Sequence, residues 1–256
     1  MGFAKALWER GVRFDGIVGS SVGALNGAFL AAGGSPEQLA DIWRTLRFKD
    51  VFRFNWRLLV RGVRARSMFT LGRSLRSLID RLGVRRFEQL SIPLAVVATD
   101  LATGAAVVID KGSLAPALAA SVAIPGLLSP VVLGGRCLVD GSLSADLPVA
   151  EAVRRGASEI WAMRCACCAS PKYRFDSLTS IIAQVFGLAV DRTRREAEVA
   201  RPGVVARVWS VEAELDVSSL DFSATAALIT AAYEETSRRL DRLGLAGMDV
   251  ATVAVP

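Results

Sequence analysis

Phe14-Asp15-Gly16-Ile17-Val18-Gly19-Ser20-Ser21-Val22-Gly23-Ala24-Leu25-Asn26-Gly27 is the stretch on which the fold turns. Phe14–Gly19 reads as a short apolar strand closed by a glycine turn, and Val22–Ala32 as a helix rich in Ala and Leu. Between them, Gly19-Ser20-Ser21-Val22-Gly23 fits G-x-S-x-G. A serine on such a turn stands clear of the sheet, and the helix behind it offers free N–H groups and a positive dipole end. Ser21 is therefore a candidate nucleophile. Gly19 and Gly23 let the backbone turn sharply, and the Val22 N–H, next after the serine, is the natural oxyanion donor. A glycine-rich strand–helix turn of no catalytic meaning carries the same letters. A dinucleotide loop or P-loop fits less well, since G-x-G-x-x-G and G-K-[ST] are both missing.

Outward from this stretch, short apolar strands alternate with helical patterns. Strands are expected at Leu94–Thr99, Ala105–Asp110, Cys137–Val139, Ile160–Arg164 and Val204–Ser210. Helices are expected at Gly2–Gly11, Leu114–Ala120, Val149–Gly156, Leu178–Ala200 and Thr225–Leu243, with Ser35-Pro36 opening another as N-cap and first residue. The order implies βαβ units, hence an α/β fold with a mainly parallel central sheet between two helical layers. No linker or repeat interrupts it, and 1–256 reads as one domain.

Composition narrows the chemistry. The 256 residues are 52% hydrophobic, with a mean hydropathy of +0.39, and contain no histidine. A Ser-His-Asp triad, a Cys-His dyad and a histidine-ligated metal are all excluded within this sequence. Acid–base work falls to carboxylates, Lys, Tyr, Cys or water. The cysteines, Cys137, Cys165, Cys167 and Cys168, lack paired zinc spacing and read as small apolar residues near a strand end. The start has no basic n-region leading into an apolar run, and the charge-free stretches Gly16–Gly34 and Gly112–Gly135 are too rich in Gly, Ser or Pro to span a membrane. A soluble cytoplasmic protein is expected.

Asp140-Gly141 follows an expected strand, placing a carboxylate at a strand end. A carboxylate within hydrogen-bond reach of a serine can act as its base, although free Asp, with a pKa near 4, is a weak one. An ordinary Asp-Gly turn explains the pair equally well.

Four blocks in order carry a family resemblance. They are Phe14–Gly27; Ala98-Thr99-Asp100-Leu101-Ala102-Thr103-Gly104; Ala120-Ser121-Val122-Ala123-Ile124-Pro125-Gly126 with Ser129-Pro130-Val131; and Leu138-Val139-Asp140-Gly141-Ser142 with Asp146-Leu147-Pro148-Val149. Together they resemble the patatin-like phospholipases over Met1 to about Arg164. The resemblance implies a Ser21–Asp140 dyad without histidine, hydrolysis of a lipid ester through an acyl-serine, and no metal or organic cofactor. The family pattern also has a first strand and a G-G-x-[RK]-G oxyanion loop ahead of the part resembled by Met1–Leu7, and neither is in this sequence. Two readings follow: a start placed inside a longer frame, or a weakly active or non-catalytic lipid-binding member. Without that first strand, its neighbours in the sheet are expected to have buried backbone groups unpaired. Ser142 and Asp146 replace the usual Gly or Ala and Asn.

The positive charge is concentrated. The whole chain carries +6, while residues 41–86 hold 13 Lys and Arg against Asp41, Asp50 and Asp80. In Phe52–Arg64, Arg53, Arg57, Arg61 and Arg64 fall on one helical face and Phe52, Trp56, Leu59, Val60 and Val63 on the other. The spacing predicts a basic amphipathic helix within a lid or insertion. One use is packing its stripe on the core, and another is docking on an anionic membrane. Nucleic acid is not an expected partner, since no nucleic-acid module is recognisable.

Overall fold

The computed structural model describes residues 1–72, 79, 82–165, 177–199, 207–213, 222–244 and 251–255. Among these residues the strands are β1 (Arg13–Ser20), β2 (Phe52–Phe54), β3 (Phe69–Leu71), β4 (Leu94–Asp100), β5 (Ala106–Ile109), β6 (Val131–Leu133), β7 (Arg136–Asp140), β8 (Glu159–Cys165), β9 (Arg207–Ala213) and β10 (Ala251–Val255). The α-helices are α1 (Gly2–Glu9), α2 (Val22–Ala31), α3 (Pro36–Thr45), α4 (Phe48–Val51), α5 (Arg57–Arg61), α6 (Leu114–Ser121), α7 (Ser142–Ala145), α8 (Val149–Arg154), α9 (Leu178–Val199) and α10 (Thr225–Arg242). Of the predicted 204–210 strand, residues 204–206 lie outside the described residues, as do Cys167 and Cys168.

The main sheet runs β6-β7-β4-β1-β10-β8-β9, with β5 also on β4. The pairs β4–β1, β1–β10, β10–β8 and β8–β9 are parallel, while β5, β6 and β7 pair antiparallel. Alternation along each strand feeds two cores. Ile17, Leu94, Val96 and Trp161 join Leu7, Leu25, Leu39 and Leu118 of α1, α2, α3 and α6. Their neighbours Val18, Ala95, Val97, Ile160 and Ala162 meet Val149 and Ala152 of α8. The result is a three-layer α/β/α fold with a mainly parallel central core. Ser35 caps α3 as expected: its Oγ accepts from the Gln38 N–H, and Gln38 Oε1 accepts from the Ser35 N–H.

Two expectations are corrected. The backbone beside β1 is not left unpaired, because β10 docks there in parallel, with Phe14 opposite Thr252 and Ile17 opposite Ala254. The predicted Phe52–Arg64 helix does not form as one piece either. Phe52–Phe54 pairs antiparallel with Phe69–Leu71 instead, and only Arg57–Arg61 is α-helical. The competing force is burial of Phe52, whose ring packs with Phe48, Phe69 and Phe222. Asn55 then fixes the break, its Nδ2 donating to Ser67 O at 2.9 Å and its Oδ1 accepting from the Arg57 N–H at 3.2 Å. Trp56, Leu59 and Val60 consequently face solvent, at 69, 67 and 88% exposure, and do not pack on the core.

Candidate active site

β4 brings Ser21 and Asp140 together. Its residue Val97 pairs with Ser20, the last of β1, and the next residue, Ala98, pairs with Asp140, the last of β7. Since β5 also pairs with Val97 and Ala98, it must take the opposite edge. The strands β1 and β7 therefore lie end to end along one edge of β4, and their chains leave the sheet at the same point.

Two glycines make this approach possible. A Cβ on Gly19 would lie 2.7 Å from the Ala24 backbone, so only glycine lets the end of β1 meet the start of α2. A Cβ on Gly141 would lie 2.1 Å from Val97 O and 2.6 Å from Ser20 Oγ. Gly141 thus serves close packing against β4. The conformational strain sits on the serine itself: Ser21, at φ 53° and ψ −127°, is the one non-glycine residue with positive φ among the described residues. Such backbone costs on the order of 1–3 kcal/mol and persists only where its surroundings hold it.

Ser121, at the end of α6, does much of the holding. The Ser21 N–H donates to Ser121 Oγ at 2.9 Å, and that hydroxyl donates onward to Val97 O at 2.6 Å. The backbone of the same segment grips β7: the Gly141 N–H donates to Ser121 O and the Asp140 N–H to Ala123 O. Ser121 is fully buried and touches both halves of the site. The sequence placed it in a motif block without giving it a part to play. The signal available was a polar residue inside an otherwise apolar Ala/Leu helix.

The side chains then meet. Ser21 Oγ donates to Asp140 Oδ2 at 2.7 Å. Asp140 Oδ1 accepts from the Ser142 N–H at 2.9 Å, which orients the carboxylate through backbone, so the unusual side chain at 142 leaves that bond intact. Asp140 is fully buried, and burial pushes its carboxyl up to about 7, against the hydrogen bonds from Ser142 and Ser21 that favour the charged form. The free-aspartate value near 4 therefore understates its strength as a base. The N-terminus of α2 completes the arrangement. Val22 is 47% exposed, and the Val22 and Gly23 N–H groups have no acceptor among the described residues.

A serine hydroxyl bonded to a buried carboxylate, with no imidazole in the chain, narrows the comparison with known proteins. Residues 1–153 match the family model described as patatin-like phospholipase. The chain belongs to the patatin-like phospholipase family. Similar proteins include an uncharacterised NTE family protein of Mycobacterium bovis and one of Mycobacterium tuberculosis, each 38% identical over 150 residues, 59% of this chain and 40% of the relative. A protein named lysophospholipase NTE1, from Mycosarcoma maydis, is 27% identical over 164 residues, 64% of this chain and 9% of the relative. The chain thus matches less than half the length of these relatives. The matched 1–153 region carries the complete Ser21–Ser121–Asp140 arrangement.

Proposed function

We propose that this chain is a serine acyl hydrolase of lipid esters, working through a Ser21–Asp140 dyad and an acyl-serine intermediate. The observation that carries the reading is the 2.7 Å bond from Ser21 Oγ to the fully buried Asp140 carboxylate, which burial pushes up to about 7. In the first half-reaction the Ser21 hydroxyl proton passes to Asp140 Oδ2 while Oγ bonds to the ester carbonyl carbon. The carbonyl oxygen becomes an oxyanion, received by the Val22 N–H at the open end of α2, with Gly19 and Gly23 shaping the backbone around it. Collapse breaks the ester C–O bond, and Asp140 returns its proton to the departing alcohol. Water then attacks the acyl-serine, giving its proton to Asp140, and the acid leaves as Ser21 recovers its hydrogen. The base is ready without a histidine because burial has brought its pKa close to neutral.

The lipid substrate class draws support from the family and from the name of the Mycosarcoma maydis relative. No helix among the described residues is long and apolar enough to cross a membrane. The single domain 1–256 reaches its substrate through the basic segment 41–86, which acts as a cover and meets anionic membrane. Exposed Trp56, Leu59 and Val60 beside exposed Arg53, Arg57 and Arg64 support that contact. Hydrolysis of a water-soluble nitrophenyl ester tests the dyad. Ser21→Ala and Asp140→Ala should each lower kcat/KM by about 10³-fold or more, and equal activity in both variants and the parent would refute it.

A further inference from the structure

Among the described residues, the longest helix carries an apolar stripe that is exposed. From Leu178 to Val190, α9 has no charged residue. Leu178, Ile181, Val185 and Leu188, spaced i, i+3, i+7 and i+10, are each between 45 and 61% exposed. That spacing puts all four on one side of the helix, while Gly187 and Val190 on the other side are buried. An aliphatic stripe of this length, exposed on a chain that buries its other cores, marks a docking surface.

Its position relates it to both the site and the basic segment. α9 packs against α7, which begins two residues after Asp140. The Ile182 side chain lies against Gly126, 3.2 Å from where a Cβ would stand. Gly126 O also accepts from the Met68 N–H at 2.9 Å, and Met68 O accepts from the N–H of Asn55, the residue before exposed Trp56. Helix α9, through Ile182, and the Asn55–Met68 backbone that leads into α5 therefore both connect to one loop, Ile124–Ser129, which follows directly on the Ser121–Ala123 segment that holds Ser21 and Asp140.

We propose that the α9 stripe is the second half of a membrane-docking face, entering the acyl region of an anionic lipid surface while the arginines around α5 meet its headgroups. The charge decides the occupant. Arg53, Arg57, Arg64 and Arg66 are exposed in the adjoining segment. A second copy docked across a twofold axis here would bring two cationic surfaces together, whereas anionic lipid neutralises them. The inference rests on the lipid-ester reading, for which a face around the site supplies substrate directly from the bilayer.

The test is sedimentation of the full chain with phosphatidylcholine vesicles, with and without phosphatidylglycerol. Val185→Ser with Leu188→Ser should lower partition onto the anionic vesicles about tenfold, with hydrolysis of the water-soluble ester unchanged. Arg57→Gln with Arg64→Gln should lower it only where phosphatidylglycerol is present. If the first pair unfolds, Leu178→Ser with Ile181→Ser tests the other end of the same stripe. Unchanged partition in the α9 variants overturns the proposal. So does a parent dimer that these variants convert to monomer without loss of vesicle binding, which would assign the stripe to a second copy. Failure of the underlying reading is seen separately, as soluble-ester hydrolysis that survives Ser21→Ala.

Discussion

The backbone around Ser21 and Asp140 and the backbone from Phe52 to Leu71 both consist of short strands and tight turns, but they are held very differently. At the first, a strained serine is fixed by its N–H on Ser121, its hydroxyl on Asp140 and its flanking strand on Val97. At the second, Phe52 and Asn55 anchor the inner edge, while Trp56, Leu59 and Val60 extend into solvent. One region fixes single atoms, and the other presents a surface. Substitutions should separate the two by what they change.

The largest effect falls on the buried carboxyl. Asp140 binds its proton more tightly folded, at about 7, than unfolded, near 4. Its contribution to stability is therefore fully present below pH 4 and lost as pH rises through 7, a loss of up to about 4 kcal/mol. Asp140→Asn should abolish ester hydrolysis yet raise stability near pH 8 by up to that amount. Urea unfolding at several pH values checks this, and the gain should disappear near pH 4. Next comes Phe52→Ala, which empties the centre of the aromatic cluster and should cost about 3 kcal/mol in the same measurement. Ser121→Ala leaves the Ser21 N–H and Val97 O without their shared hydroxyl. Steady-state kinetics should show kcat down about 10- to 100-fold with KM little changed. The smallest stability effect belongs to Trp56→Ala, within about 0.5 kcal/mol on unfolding, with the change read in vesicle binding. A Trp56→Ala loss as large as that of Phe52→Ala would erase the distinction between the regions.

The same contrast explains what could be read from sequence. The β1–α2 turn was legible because its requirements are local: an apolar strand, Gly19 where the backbones touch, and a helix starting at Val22. Asp140 was legible as a strand-end carboxylate, but its strength as a base was not, since burial depends on the assembled sheet. Glycine was expected to carry the turn's conformation, whereas the strained residue is Ser21 and Gly141 serves close packing. The Phe52–Arg64 periodicity pointed to a helix because a pairing partner fifteen or more residues along, Phe69–Leu71, leaves no local mark. Distance hid β10 as well: the register that places Thr252 opposite Phe14 joins the two ends of the chain.

The central claim, a serine activated by a buried aspartate with no histidine, is tested most directly by one labelling experiment. The rate at which a fluorophosphonate modifies the protein is followed from about pH 5 to pH 9, and the modified residue is located by mass spectrometry. The expected result is modification at Ser21, rising with a midpoint at about 7 and lost in Asp140→Asn. Labelling at another residue, or a rate at Ser21 that ignores both pH and the Asp140→Asn change, would contradict it.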